Sequence, residues 1–511
     1  MPANIRKVRT ASGATAVQVV YKRGRERVGL RHIGSAHNEV ELGLLVSKAK
    51  EVMTEGQGEL GLDAEEGGGA AGRGSCVESS HSGLLWEALE GVWRRLGFDG
   101  IGDEVFKQVA LARVIEPTSK AESIRVIGEV GLCAPSNTAI HRSLARANAE
   151  DYRGFLSGKC LARARPEALT LVLYDVTTLY FEVPREDDYR KPGFSKERRI
   201  DPQICVGLLV DRNGFPLEVA SFEGNKAEVD TIVPVLEAFA ARSGHKATVT
   251  ADAAMLSAEN LAALERLGYG FIVGSRINKC PYQVEEFLKT PGGEIKDGQI
   301  FEAEASEDEE DDGDGDGKGE EEKEKPPKRR VVYQWSQKRA KLDLYNLDKA
   351  LEKAQRLIEG KAKAKGNRYV KTKGARMEIN TRLVEKTRKR AGIKGYVTNL
   401  DIPAQEVISH YRQLFEVERS FRMAKSDLQT RPIYHHKRQA IESHLTVVFA
   451  ALAVARHIQE ATGVSIGRFV RTLLLFRSAV VSVNGAKLTL PPKVPPDISK
   501  LLKNLEKFGG H

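Results

Sequence analysis

Apolar residues change their spacing near residue 169, from steps of three and four residues to short continuous runs. Continuous runs bounded by turn residues are typical of strands buried in a sheet. The second and third runs are joined by Asp211-Arg-Asn-Gly214, the composition of a hairpin turn, so the first three strands are predicted to be antiparallel. The predicted α/β order is βββαβαβ, from strands 169–174, 203–210 and 215–222, helix 228–241, strand 247–250, helix 257–267 and strand 269–274.

A chain of 511 residues is too long for one ordinary core, so several units are expected. Two segments, 119–127 and 137–147, have the proportions of a helix-turn-helix that either reads DNA through Arg142 and Arg146 or is a plain packing unit. We predict a basic N-terminal β unit with one helix (1–54), a Gly-rich linker (55–83), a helical domain (84–165), the first part of the α/β core (166–276), an insertion (277–400), the last part of the core (401–465) and a C-terminal tail (466–511).

An acidic tract lies inside the predicted insertion. Between Glu302 and Glu324 there are 14 acidic side chains and two lysines, a net charge of −12, which against +9 for the whole chain leaves +21 for the rest. Because it lacks apolar residues, the tract 302–325 is predicted to be disordered. A body this basic indicates either a polyanionic partner such as nucleic acid or a solvated lysine-rich surface.

Membrane proteins, secreted proteins and zinc proteins are disfavoured by the composition. The longest apolar helical run, Leu445–Ala455, is shorter than the about 20 residues that span a bilayer. The first ten residues are basic but lack the apolar stretch of a secretory signal. The five cysteines contain no Cys-x-x-Cys pair. We therefore expect a cytoplasmic protein without a membrane partner and without structural zinc.

Two aspartates end predicted strands, and one glutamate lies on a predicted helix. Asp175 and Asp252 each follow an apolar strand, which places both carboxylates at an edge of the sheet, although an aspartate there is also a common turn former. Glu418 lies on a helix predicted over residues 404–428, where it either faces buried surroundings or pairs with Arg422. The same helical stripe carries Tyr411, Leu414, Phe421 and Lys425.

The spacing of Tyr411, Leu414, Glu418 and Lys425 resembles the Tyr-Arg-Glu-Lys signature of bacterial insertion-sequence transposases, which have a ribonuclease H-like catalytic core. Leu414 stands where the signature has arginine, so the role of that arginine is not carried over; Arg412, Arg419 or Arg422 could supply its phosphate contact. The resemblance extends from about residue 4 to about residue 461. It includes the strings Leu-Tyr-Asp-Val-Thr-Thr, Val-Thr-Ala-Asp-Ala-Ala-Met, Val-Glu-Arg-Ser-Phe-Arg and Arg-Pro-Ile-Tyr-His.

The resemblance implies a DNA transposase of an insertion sequence, which cleaves the ends of its element and joins them to target DNA. Asp175, Asp252 and Glu418 would be catalytic and would hold two Mg²⁺ ions, for which Mn²⁺ could substitute. The DNA-binding residues would be Tyr411, Lys425 and Arg422. The implied partners are the terminal inverted repeats of the element, target DNA and further copies of the chain.

The same resemblance predicts the geometry of the core. The fold would be a ribonuclease H-like mixed sheet with an inserted segment before the last catalytic helix, preceded by the small β unit and the helical domain. The first strand should lie beside the fourth, with Asp175 next to Asp252 and the helix of Glu418 packed across that edge. Two alternatives stay open: a ribonuclease H-like nuclease without strand transfer, and a non-catalytic DNA-binding protein.

Overall fold

The structure of the chain is a computed structural model. It describes residues 3–10, 13–23, 26–54, 76–164, 169–181, 186–193, 201–244, 247–253, 257–275, 277–290, 293–304, 329–360, 367–373, 376–430, 433, 435, 437–483 and 486–509. The predicted disorder of the acidic tract lies outside the described residues beyond residue 304, as does the predicted linker up to residue 75.

The N-terminal unit is a small antiparallel sheet covered by one helix. Its elements are β1 (Ala3–Arg9), β2 (Thr15–Arg23), β3 (Glu26–Ala36) and α1 (Glu39–Thr54). The predicted N-terminal β unit is present: β2 and β3 form an antiparallel hairpin, and β1 pairs with β2 as a third strand. Val17, Val19 and Ala49 form a separate small core.

A short strand and a group of helices follow the N-terminal unit. They are β4 (Cys76–His81), α2 (Gly83–Arg95), α3 (Glu104–Ile115), α4 (Ser123–Glu129), α5 (Asn137–Ala149) and α6 (Tyr152–Arg163). The predicted helix pair is present as α4 and α5. Arg146 on α5 is engaged within the protein, because its Nη2 lies 2.6 Å from Asp103 Oδ2.

The core elements appear in the predicted order βββαβαβ. They are β5 (Leu171–Tyr180), β6 (Gln203–Asp211), β7 (Pro216–Glu223), α7 (Ile232–Ser243), β8 (Thr248–Ala251), α8 (Ala258–Arg266) and β9 (Gly270–Ser275). β5, β6 and β7 pair antiparallel, whereas β8 is parallel to both β5 and β9. The prediction that the first strand lies beside the fourth is confirmed.

The insertion extends the sheet of the core. Its elements are α9 (Tyr282–Lys289), β10 (Ile300–Glu304), β11 (Arg330–Trp335), α10 (Gln337–Ile358), β12 (Val370–Lys373), β13 (Arg376–Ile379), α11 (Thr381–Lys389) and β14 (Ile393–Thr398). β14 pairs with β9, β11 with β14 and β10 with β11, all antiparallel. Over the described residues the sheet therefore has eight strands in the order β10-β11-β14-β9-β8-β5-β6-β7.

The C-terminal part of the described chain contains helices and a short pair of strands. It contains α12 (Ala404–Arg412), α13 (Phe415–Arg422), a π-helical turn (Met423–Asp427), α14 (Arg438–Thr462), α15 (Ile466–Leu474), β15 (Ser478–Val483), β16 (Ala486–Leu490) and α16 (Pro496–Lys507). β15 pairs antiparallel with both β16 and β4. The predicted linker therefore ends in a strand, and the predicted tail completes the sheet of that strand.

The single helix predicted over residues 404–428 is wrong. The chain tightens between α12 and α13, where the Leu414 amide donates to the Tyr411 carbonyl at 3.0 Å and the Glu416 amide donates to the Gln413 carbonyl at 2.8 Å. These bonds span three residues instead of four, which ends the regular helix. The π-helical turn then changes the phase of the helix a second time.

Helix α14 is the central helix of the core, with α3, α5 and α16 packed against it. By length and composition alone it could cross a membrane, but 94% of its apolar window is buried inside the protein. Its apolar character is therefore that of a core helix.

Candidate active site

The two aspartates lie next to each other at one end of the sheet. In the parallel pair β5 and β8, Leu173 is opposite Thr250, and each aspartate comes two residues further along its strand. Neighbouring strands are about 4.8 Å apart, so the backbone positions of Asp175 and Asp252 are adjacent. Asp175 is half-buried and Asp252 is exposed. The predicted placement of these two residues is thus present in the structure.

Helix α13 packs on β5, and the carboxylates of Glu418 and Asp252 both act on the charge of Lys394, so Glu418 lies in the neighbourhood of the second aspartate. Its buried face carries Val417 and Phe421, together with Ser420, whose hydroxyl donates to the Gly214 carbonyl at 2.7 Å. Glu418 itself is exposed, so the prediction that it faces buried surroundings is wrong. The tight turn before α13 changes the phase of the helix, so Glu418 does not share the buried stripe of Tyr411 and Leu414.

Tyr411 connects the late helices to Asp252. Its hydroxyl donates to Asp252 Oδ1 at 3.3 Å, and the same oxygen accepts the Ala253 amide at 2.7 Å. Burial, and then the negative charge of Asp252, raise the pKa of Tyr411, so the hydroxyl stays protonated and orients the carboxylate. A Cβ atom at Gly274 would lie 2.6 Å from the Tyr411 hydroxyl oxygen, so the glycine makes this approach possible.

Lys394 on β14 is a site residue that the sequence analysis missed. Its ammonium lies 4.2 Å from the centre of the Tyr411 ring, within the range of a cation–π contact. Burial, and then the charge of Arg339, lower the pKa of Lys394, whereas the carboxylates of Asp252 and Glu418 act in the opposite direction. Lys394 therefore lies within electrostatic reach of both acids. No motif marks it in the sequence, because its position depends on the pairing of β14 with β9.

Lys425 reaches the strand that carries Asp175. It lies in the π-helical turn, and its ammonium donates to the hydroxyl of Thr177, which is two residues after Asp175 on the same face of β5. Arg422 is exposed one turn earlier on the same helical segment. Leu414, at the position of the signature arginine, is only 8% exposed and packs in the core. Its side chain therefore belongs to the packing of the helices.

A cavity of about 750 Å³ opens beside Asp252. The insertion contributes most of its charge, which makes the cavity basic next to a carboxylate. Its charged lining among the described residues has four basic members, Lys394, Arg339, Arg368 and Arg390, and two acidic ones, Asp252 and Asp343; Tyr411 is one of its aromatic residues. Such a surface suits the phosphates of a nucleic acid strand.

The three carboxylates offer oxygen donors of the kind that Mg²⁺ prefers. In the described ranges, however, no group of three His, Cys, Asp or Glu side chains is close enough to hold a metal ion. Among these described residues, Asp175, Asp252 and Glu418 therefore do not form such a group. Two features account for this: the Asp252 carboxylate is turned towards Tyr411, and the Glu418 side chain lies on the exposed face of α13.

Comparison with known proteins bears on most of the chain. Residues 168–454 match the sequence model of the family described as transposase DDE domain. No curated protein matches the chain. Among solved structures, the chain is similar to the piggyBac transposase in a cryo-EM structure of its synaptic complex with hairpin DNA. That similarity has a TM-score of 0.36 and 10% sequence identity, and it covers 77% of this chain and 70% of the other.

Proposed function

The chain belongs to the transposase DDE domain family and is a DNA transposase, and from this premise we propose which of its residues perform the reaction. The family uses divalent metal ions. We propose that Asp175, Asp252 and Glu418 hold them and that the ions are Mg²⁺. The observation that carries the proposal is the parallel register of β5 and β8, which makes the two aspartates neighbours.

The fold of the catalytic core is proposed to be ribonuclease H-like. Support comes from the strand order β7-β6-β5-β8-β9, in which the first three strands of the chain are antiparallel and the next two are parallel to the first. The helix that carries Glu418 packs on the first of these strands. The insertion precedes that helix and widens the sheet beyond β9.

When bound, the metal ions activate the attacking oxygen and stabilise the leaving oxygen of a phosphodiester. The residues of the chain position the DNA and the ligands. Tyr411 orients the Asp252 carboxylate through its hydroxyl, and Lys425, held by Thr177, neutralises a phosphate close to Asp175. Arg422 and the basic cavity beside Asp252 contact the DNA strand on either side.

Two consecutive reactions would use this site. Water attacks a phosphodiester at the end of the element, which leaves a 5′ phosphate on the flanking strand and frees a 3′ hydroxyl of the element. That hydroxyl then attacks a phosphodiester of target DNA, which forms a new phosphodiester and releases a 3′ hydroxyl of the target strand. We propose that Tyr411, Glu418 and Lys425 correspond to the tyrosine, glutamate and lysine of the insertion-sequence signature. The proposed partners are the terminal inverted repeats, target DNA and further copies of the chain in the DNA complex.

Replacement of the three acids tests the assignment. Asp175→Asn, Asp252→Asn and Glu418→Gln should each lower Mg²⁺-dependent cleavage of DNA carrying the terminal repeats by about a thousandfold or more, because each removes a metal ligand. DNA binding should stay close to that of the parent protein. The matched control is Glu406→Gln, an exposed acid on α12, which should cleave normally. Full activity in any of the three variants would contradict the assignment.

A second assay separates the transposase from a nuclease of the same fold. DNA that is already nicked at the element end needs no hydrolysis, so a transposase should join its 3′ hydroxyl to a target plasmid. Joined products that disappear in Asp175→Asn are the expected result. Cleavage of intact DNA without any joining of pre-nicked DNA would favour the nuclease.

A further inference from the structure

A second basic cavity lies between α5 and the start of α14, formed by residues that the proposed reaction does not use. Its volume is about 330 Å³. Two lysines and two histidines line it: Lys120, His141, His435 and Lys437. No aspartate or glutamate is found among the described residues of this lining. The cavity therefore carries positive charge without acidic side chains in its wall.

Lys120 is the central group of this cavity. Its ammonium nitrogen lies 2.8 Å from Nε2 of His435, so its hydrogen-bond partner in this cavity is a histidine ring and not a carboxylate. Burial, and then the charge of Arg113, lower the pKa of Lys120 to about 8. The His435 ring in turn lies 5.8 Å from the ring of His444, which is buried behind it.

Arg113 places a further positive charge behind Lys120. Its guanidinium is 8% exposed and donates to the carbonyl oxygens of Leu428 at 2.9 Å and Gln429 at 2.6 Å. These hydrogen bonds pair the guanidinium with neutral carbonyl groups and bring no negative charge. Gathering cations in a low-dielectric region is costly unless an anion offsets them. The cluster is thus arranged for an anionic ligand.

The N-terminus of α14 also makes the cavity favourable for a negative charge. The helix begins at Arg438, has no acidic residue in its first turn, and its N-terminal capping position, Lys437, makes no side-chain capping hydrogen bond. Gln439 and Ala440, in that first turn, line the cavity. The amide groups at the beginning of a long helix favour a negative charge, so they act in the same direction as Lys120.

We propose that this cavity binds a backbone phosphate of the DNA on which the catalytic site acts. The proposal rests on the proposed function, and it adds a second DNA contact at a distance from the carboxylates. Arg113 links the two places, because it holds the carbonyls of Leu428 and Gln429, which directly follow the turn that carries Lys425. A free phosphate shares this chemistry, and the experiments below separate the two sources.

The first experiment measures DNA binding in the presence of EDTA, so that its outcome does not depend on cleavage. Lys120→Gln and Lys437→Gln should each weaken binding to a duplex of arbitrary sequence by about tenfold. The slope of log affinity against log salt should fall by about 1 for each phosphate contact that is lost. Lys503→Gln, an exposed lysine on α16, is the control and should bind as the parent protein does.

Unchanged affinity and unchanged salt slope in both variants would overturn the proposal. Lys437 is exposed, so its variant keeps the test valid if Lys120→Gln misfolds, which thermal unfolding followed by circular dichroism would reveal. These variants could lose DNA binding while the parent protein shows no cleavage activity. That result would support the phosphate site and contradict the catalytic assignment.

The second experiment identifies the source of the phosphate. In a terminal-repeat duplex with one neutral methylphosphonate at a time, the parent protein should lose affinity at one particular linkage, and Lys120→Gln should be insensitive at that linkage. Identical profiles for the two proteins would overturn the proposal. Binding of inorganic phosphate that Lys120→Gln abolishes, with DNA binding unaffected, would also overturn it and assign the cavity to a free phosphate.

Discussion

Gly274 is the single residue whose small size matters most directly to the proposed chemistry. A side chain there would meet the Tyr411 hydroxyl, whose hydrogen bond orients Asp252. Since Tyr411 is only 6% exposed, its ring has little room to move away. The glycine is therefore required by a side chain from a distant helix, although its own strand is regular.

Gly274→Ala should lower cleavage by about a hundredfold, because a displacement of about 1 Å in a positioned group has an effect of that size. Overpacking should also lower the free energy of unfolding by about 1–3 kcal/mol. Adding Tyr411→Phe removes the atom that clashes, so the double variant should regain stability but not activity. The measurements are urea unfolding and cleavage assays, with Gly43→Ala, which meets no atom within 4 Å, as the control. Normal cleavage by Gly274→Ala would show that Tyr411 does not orient Asp252.

The neighbouring positions of Asp175 and Asp252 could be predicted from the sequence, because each follows an apolar strand. The assignment of Asp175, Asp252 and Glu418 as metal ligands stays a prediction. Lys394 could not be predicted in this way. It belongs to the insertion, and its distance from Asp252 and Glu418 follows from the pairing of β14 with β9, which is a contact between segments far apart in sequence. The exposure of Glu418 was missed for a related reason, since helix periodicity assumes an unbroken helix.

At the scale of elements, the segment after α13 depends on a neighbour from the helical domain. Gln429 has a positive φ of 42°, a conformation that costs energy for a residue other than glycine. Arg113 on α3 holds the carbonyls of Leu428 and Gln429, and Leu428 is fully buried. The position of Lys425 at the active site is thus supported from another part of the fold.

Arg113→Met should lower the free energy of unfolding by about 1–3 kcal/mol, because two carbonyl groups lose their donor. Amide hydrogen exchange should increase over residues 423–430 more than elsewhere, and cleavage should fall with it. Denaturant unfolding and exchange mass spectrometry measure these effects. Arg142→Met, an exposed arginine on α5, is the control. Exchange that rises equally across the whole chain would indicate global destabilisation without a specific role at this turn.

The order βββαβαβ was predictable because each strand is a short apolar run bounded by turn residues. The extension of the sheet by β10, β11 and β14 was not predictable, because these strands pair across long separations that include residues 305–328. Local patterns give the type of an element, whereas its neighbours in a sheet depend on which edges remain available after the core has formed.

For the whole molecule, stability in acid depends on a histidine in the central helix. His457 on α14 is 1% exposed, has no hydrogen-bond partner for either ring nitrogen among the described residues, and lies 5.2 Å from the ring of Phe508. Burial, and then the charges of Arg163 and Arg95, lower the pKa of His457 to about 3. The folded protein therefore keeps this ring neutral far below the pKa of a histidine in an unfolded chain.

This difference predicts the direction of the pH effect. Above about pH 6.5 the His457 ring is neutral in both the folded and the unfolded protein, so its titration does not lower the free energy of unfolding. Below that pH only the unfolded chain takes up the proton, which lowers the free energy of unfolding by about 1.4 kcal/mol per pH unit until the folded pKa is reached. Denaturant unfolding at about pH 7.5 and about pH 5 should show this loss in the parent protein and less of it in His457→Leu. His141→Leu, an exposed histidine, is the control, and an equal loss in parent and His457→Leu would contradict the assignment.

Because β4 pairs with β15, the sheet that contains β4 cannot form during synthesis until β15 has been translated. β4 is made long before β15 (Ser478–Val483), which is its only partner among the described strands. Glu418 likewise leaves the ribosome long after Asp175 and Asp252. A nascent chain therefore lacks Glu418 and the closing strand until these late segments have been made, and we expect a product that ends before Glu418 not to cleave DNA.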